Sequence, residues 1–259
     1  MTCSVTQDMV HGAPIRRAME ARDLLNGAER ILCDLDGCLI SGKRVLPGAE
    51  AFVQRYAARL ILVSNNSTDT TQTLAERLDV AGLAISADRI ILAGETALEF
   101  ARKTAPSGRI LLLAGATMQR RALDMGLMPQ AAAPEVIVLC RDATRGQLET
   151  AMPLLSAGIP LIVANPDLTH PGEHGPVIET GALLALLTAC VPQQDMYVVG
   201  KPSAHLFQTA LGPVPPGKAV MIGDNRDTDI AGARALGIKT IHLDASGAHT
   251  GIAGIASLI

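Results

Sequence analysis

Two aspartates one residue apart end a short apolar run, Arg30-Ile31-Leu32-Cys33-Asp34-Leu35-Asp36-Gly37. In an extended chain, side chains at i and i+2 face the same side. Asp34 and Asp36 are therefore aimed into one space, and Gly37 lets the backbone turn sharply behind them. Carboxylates so placed repel unless a cation neutralises them or one keeps its proton. Taken alone, the pair reads equally as a reactive site and as two solvated acids at a strand end.

A second acidic cluster, Gly223-Asp224-Asn225-Arg226-Asp227-Thr228-Asp229, also follows an apolar run. Asp227 suits the start of a helix, where the dipole favours negative charge. Asp224 precedes that helix. A calcium loop of the EF-hand type is excluded, because Arg226 stands where an oxygen ligand is required and the closing Glu is missing. Carboxylates without accompanying His or Cys select a hard cation, commonly Mg2+ when the substrate brings phosphate oxygens. Lys201, between Gly200 and Pro202, supplies a compact positive charge. Ser64 and Asn65 offer a hydroxyl and an amide for gripping oxygens, with Thr68 or Asp69 available to cap the helix that follows.

These residues need elements to hold them. Short apolar runs recur at 30–33, 59–63, 89–92, 109–113, 135–139, 160–163, 196–199, 218–222 and 238–243, separated by helical patterns. That alternation predicts an α/β protein on a parallel sheet. Ligands of such sheets bind outside the carboxyl ends of the strands. Asp34 and Asp36, Ser64 and Asn65, Lys201, and Asp224 all sit at predicted strand ends. A short helix over Ala18–Leu25 is expected to lead into the first strand, and Gly82 to stop a helix over Thr70–Val80. Ala114-Gly115-Ala116-Thr117 lacks the glycine spacing of a dinucleotide loop and reads as a strand–helix turn.

The 259 residues are 48% hydrophobic, 18% charged and only 2% aromatic, so a large core must be built from Ala, Leu, Ile and Val. A net charge of −3 argues against nucleic acid or an anionic membrane as partner, while leaving room for a small anionic ligand held locally. Five scattered cysteines with no C-x-x-C pair suggest neither a disulfide framework nor a zinc cluster. The first thirty residues lack the apolar segment of a signal peptide, and no run approaches the length of a membrane span. A cytoplasmic protein is expected.

In order along the chain, Asp34-Leu35-Asp36-Gly37, Ser64-Asn65, Gly200-Lys201-Pro202 and Gly223-Asp224…Asp229 resemble the motifs of the haloacid dehalogenase (HAD) superfamily of Mg2+-dependent phosphohydrolases. Val63-Ser64-Asn65-Asn66-Ser67-Thr68, Ala164-Asn165-Pro166-Asp167 and Val199-Gly200-Lys201-Pro202-Ser203 resemble its type IIA branch, the NagD-like or p-nitrophenylphosphatase-like proteins. The resemblance implies a Rossmann-like doubly wound core over 1–88 and 195–259 and an inserted α/β cap over 89–194. It implies a phosphatase of a small phosphorylated metabolite, or a phosphotransferase or mutase on the same scaffold, and a possible homodimer through the cap. Asp34 would be the nucleophile and Asp36 the general acid and base. Mg2+ would be held by Asp34, Asp36 through its main-chain carbonyl, and Asp224, with Asp229 in support. Ser64, Asn65 and Lys201 would hold the phosphoryl oxygens, and His170 and His174, in a polar loop of the cap, would meet the leaving group. Cys38 departs from the Thr or Val common after Asp-x-Asp-Gly.

Overall fold

The computed structural model describes residues 5–172, 175–192, 195–244 and 251–259. Contacts divide the chain into two compact units, one of Met1–Leu62, Leu78–Ile85 and Leu211–Ile259, the other of Val63–Arg77 and Ser86–Ala210. The strands in chain order are β1 (Arg30–Cys33), β2 (Ile40–Ser41), β3 (Arg44–Val45), β4 (Leu60–Ser64), β5 (Ile90–Leu92), β6 (Ile110–Leu113), β7 (Val136–Leu139), β8 (Leu161–Val163), β9 (Thr169–Gly172), β10 (Gly175–Ile178), β11 (Met196–Val198), β12 (Ala219–Gly223) and β13 (Lys239–His242).

In the first unit, parallel strands lie in the order β13-β12-β1-β4. β1 is interior, with Cys33 opposite Ile222 on one side and Leu62 on the other. An interior parallel strand is covered on both faces and must be apolar throughout. Ile31, Leu32 and Cys33 are accordingly fully buried. Asp34 N–H donates to Ile222 O at 2.9 Å, extending the ladder one residue past the strand. Main-chain pairing thus reaches the residue that carries the first carboxylate. The scarce aromatics serve the core here: Phe52 and Tyr56 pack with ring centroids 4.8 Å apart on the helix Ala49–Tyr56.

The second unit has its own parallel sheet, ordered β11-β8-β7-β6. Alternation along these strands sends Leu112, Val138 and Ile162 into one apolar cluster with Ala97, Leu98 and Ala101 of the helix Ala93–Thr104. Leu111, Leu113, Ile137, Leu139, Leu161 and Val163 face the other way, onto Leu148 and Leu155 of the helix Arg145–Ser156 and Leu187 of the helix Thr180–Cys190. Helices thus cover both faces of this sheet, as an α/β layer architecture requires. Arg145–Ser156 begins with a capping box, Thr144 and Gln147 each bonding the other's main-chain N–H.

Three elements differ from the sequence expectation. The first helix runs Val5–Gly27, well beyond Ala18–Leu25. The apolar pattern marks only its packed end, where Ala21 and Leu25 are buried. The polar stretch around His170 is an antiparallel hairpin of β9 and β10, a pairing that Pro171 and Gly172 hide from propensity. The run Met196–Val198 pairs with β8, Met196 opposite Leu161, so it belongs to the sheet of the second unit. Gly82 does stop its helix, with φ +91° and Leu83 N–H bonded back to Leu78 O at 2.8 Å. Among the described residues no helix is long and apolar enough to cross a membrane.

Leu32 lies at the centre of β1 with no exposed surface. Leu32→Ala is expected to lower stability by about 2–5 kcal/mol, read as a fall in the urea midpoint.

Candidate active site

In the first unit the acids gather at the carboxyl ends of β1 and β12. One ligand atom each of Asp34, Cys38 and Asp224 lie within 4.8 Å of one another. The turn behind Asp34 is closed by Gly37 N–H to Ile40 O at 2.8 Å and Leu39 N–H to Leu35 O at 2.9 Å. Gly37 has φ +76°, and a Cβ there would stand 1.9 Å from Asp224 Oδ2. Glycine is therefore required twice, for the turn and for the space Asp224 fills. Asp36 is exposed beside this group.

Asp229 is fully buried and lies outside the group. Its Oδ2 accepts from Asn225 N–H at 3.1 Å, holding the loop that carries Asp224. A Cβ on Gly223 would stand 2.3 Å from Asp229 Cβ, so this support also depends on a glycine. His242 Nε2 lies 3.0 Å from Asp224 O. A carbonyl only accepts, which fixes the proton on Nε2. The loop carrying Asp224 is thus held by a carboxylate at one residue and an imidazole at another.

The donor set suits a hard divalent cation: two carboxylates close together, with the space between Asp224 and the turn kept clear by glycine. Cys38 brings a thiol to the same group. Its contact with Cys33, its burial and the nearby Asp34 and Asp224 carboxylates push the thiol well above its ordinary pKa. A protonated thiol is a poor ligand for a hard cation.

In the second unit Ser64 ends β4, and its Oγ accepts from Asn66 N–H at 3.2 Å. Asn66 Oδ1 accepts from Thr68 N–H and Asp69 N–H, both at 2.9 Å, which turns the chain. Thr70 and Thr73 then exchange N–H to Oγ1 bonds of 2.9 and 3.1 Å at the start of the helix Thr71–Val80. Thr70 is therefore the cap, not Thr68 or Asp69. Nor is the Asn65 amide left open as expected. Its Oδ1 accepts from Lys201 N–H at 2.7 Å, and its Nδ2 donates to Lys201 O at 3.0 Å and Asp167 Oδ2 at 2.9 Å.

Lys201 is 2% exposed, and its Nζ donates to Val63 O at 3.1 Å. Beside it lies a buried polar network in which Asn165 and Ser67, from the matched stretches, meet Thr180 and Glu179, which no motif marked. Asn165 Nδ2 donates to Asn65 O at 2.7 Å and approaches Thr180 Oγ1 at 3.2 Å. Ser67 Oγ lies 3.2 Å from Thr180 Oγ1 and accepts from Arg141 N–H at 3.1 Å. Glu179 Oε1 stands 2.9 Å from His170 Nδ1 and 3.7 Å from Arg141 Nη1. The expected site residues thus fall into an acid group in the first unit and a Ser64, Asn65, Lys201 and His170 group in the second. His174 lies outside the described residues.

Residues 31–128 match the family model described as haloacid dehalogenase-like hydrolase, and residues 198–251 one described as HAD-hydrolase-like. A dihydroxyacetone phosphatase of Corynebacterium glutamicum is 30% identical over 217 residues, covering 81% of this chain and 78% of that one. A 4-nitrophenylphosphatase of Thermotoga maritima superposes with a TM-score of 0.78 at 26% identity, over 85% of this chain and 87% of that one. A glycerol phosphate phosphatase of Mycobacterium tuberculosis, solved in complex with magnesium, has a TM-score of 0.77 at 26% identity, over 85% of this chain and 69% of that one.

Thiol chemistry follows from these environments. Burial pushes Cys140 up to about 12, and Cys38 is raised as well, whereas Cys190 is exposed. At pH 8 both buried thiols hold their protons, and the thiolate is the reactive form. Iodoacetamide labelling of native protein, followed by peptide mass spectrometry, is expected to modify Cys190 and to spare Cys38 and Cys140 until the chain unfolds.

Proposed function

The chain belongs to the haloacid dehalogenase-like hydrolases and is a phosphoric monoester hydrolase, and we propose that it releases phosphate from a small phosphorylated metabolite by way of an aspartyl-phosphate on Asp34. The observation that carries this reading is the acid group at the ends of β1 and β12, where Asp34 and Asp224 approach across a glycine that no other residue can replace.

Asp34 is the nucleophile. Its carboxylate forms a bond to phosphorus as the ester P–O bond breaks, which divides one difficult displacement into two easier ones. Asp36, exposed next to it, gives a proton to the departing alkoxide. In the second half it takes a proton from water, which attacks the aspartyl-phosphate and restores Asp34 with release of inorganic phosphate. Asp34, the main-chain carbonyl of Asp36 and Asp224 would hold Mg2+, with Asp229 steadying the Asp224 loop. When bound, that ion offsets the repulsion between an anionic nucleophile and an anionic ester. Ser64, the Asn65 segment and Lys201 receive the phosphoryl oxygens. His170, whose Nδ1 lies beside Glu179, would meet the leaving group through Nε2.

The relatives' names support a substrate of few carbons. One is a dihydroxyacetone phosphatase and another a glycerol phosphate phosphatase, so a triose or polyol phosphate is the proposed class.

Asp34→Asn is expected to reduce phosphate release from p-nitrophenyl phosphate by at least ~10³-fold, and EDTA to abolish it in the unaltered protein. Full turnover by the Asn variant would overturn the assignment. A panel containing dihydroxyacetone phosphate, glycerol 3-phosphate and larger sugar phosphates should give its highest kcat/KM on a three-carbon ester. Asp229→Asn is expected to weaken Mg2+ binding by about 10–100-fold in calorimetric titration, because it loosens the loop and removes no ligand.

A further inference from the structure

We propose that the side chain of Asn65 is a positioning residue for Lys201, fixing the main chain from which the lysine projects, and that Asp167 sets the orientation of the amide that does so. The inference rests on the reading of Lys201 as a phosphoryl-binding group.

Three observations carry it. The first is the pairing itself. Oδ1 of Asn65 accepts from Lys201 N–H at 2.7 Å while Nδ2 donates to Lys201 O at 3.0 Å. One amide thus engages both main-chain polar groups of one residue, as a neighbouring strand would. The second hydrogen of Nδ2 goes to Asp167 Oδ2 at 2.9 Å. Both donors and the oxygen of the amide are committed to protein, so none can be given to a phosphoryl oxygen without breaking one of these bonds.

The second observation concerns direction. Amide oxygen and nitrogen are nearly alike in shape, and only their partners tell them apart. Lys201 N–H can only donate and the Asp167 carboxylate, when ionised, can only accept. Together they admit a single orientation, with Oδ1 toward Lys201 N–H and Nδ2 toward Asp167. The reversed amide would face a donor with a donor and a carboxylate with a carbonyl.

The third is how closely the surroundings fit this pair. Gly200 N–H donates to Ala164 O at 2.7 Å. A Cβ at Gly200 would stand 2.5 Å from Ala164 O and 2.7 Å from Asn65 Oδ1. The main chain of Asn65 is itself pinned, its carbonyl accepting from the fully buried Asn165 at 2.7 Å. Lys201 is 98% withdrawn from solvent, its 2% exposure matching a side chain whose path is set by where its main chain begins. Moving that origin by about 1 Å would misplace the ammonium group, an error that can cost on the order of 10²-fold in rate.

The test is a double-mutant cycle on p-nitrophenyl phosphate with saturating Mg2+, using the full-length protein. Asn65→Ala is expected to lower kcat about 10²-fold with KM within a few-fold of the parent. In a Lys201→Met background the same change is expected to cost less than about threefold, because it acts through the lysine. If the two losses multiply, Asn65 acts on the phosphoryl group itself and the inference is overturned. If Lys201→Met alone keeps full turnover, the reading of Lys201 fails and takes this one with it. A second pair of variants guards against a damaged fold. Asn65→Asp is isosteric but sets a carboxylate against Asp167, so kcat should fall; adding Asp167→Asn returns a donor to that contact and should recover at least tenfold. A double variant no better than Asn65→Asp, with melting temperatures unchanged, would overturn the role given to Asp167.

Discussion

Crowded negative charge is the constraint on which the first unit depends. Asp34 and Asp224 come from strands far apart in sequence, yet the β1–β12 register brings their segments to the same sheet end. Nothing in carboxylate chemistry favours that meeting without a cation. Main-chain bonds, two glycines, a buried acid and an imidazole hold the loops that carry it. A site whose acids are positioned by backbone in this way is ready for a metal and a phosphate ester, and little has to rearrange when they arrive.

The second unit solves a different problem. Asn165, Thr180, Ser67 and Lys201 are buried polar groups, each of which would be costly if left without partners. The structure spends them on one another and on the main chain. Asn165 ties the segment after β4 to the start of the helix Thr180–Cys190, and Glu179 accepts from the N–H of Thr180 at that helix start. The consequence is rigidity of the chain around the lysine, because Asn65 and Asn165 each bridge segments distant in sequence through hydrogen bonds.

Much of this was legible in the sequence, for reasons that differ by residue. The strands were readable because interior parallel strands are covered on both faces, which makes 31–33, 60–63, 136–139 and 219–223 unbroken apolar runs. The acids were readable because they interrupt those runs abruptly at Asp34 and Asp224. What escaped was anything decided by partner choice. Met196–Val198 carries no mark of which sheet it will join. The β9–β10 hairpin contains two prolines and two glycines that propensity counts against it. Asn65 looks like a ligand-gripping amide from its position, yet in the fold Lys201 and Asp167 occupy it. His242 sits in a strand with no motif around it, and no spacing rule could have singled it out.

The central position of β1 has a consequence for how the chain is made. Arg30 pairs with Ala219, so one flank of β1 stays uncovered until nearly 190 further residues have left the ribosome. At synthesis rates of about 5–20 residues per second, that interval is on the order of 10–40 s. During it an apolar strand edge is open to wrong partners. The strands of the second sheet, Ile110 through Val198, emerge within that same interval. The flank of β1 that will meet β12 is therefore still open while the strands of the second sheet are being made.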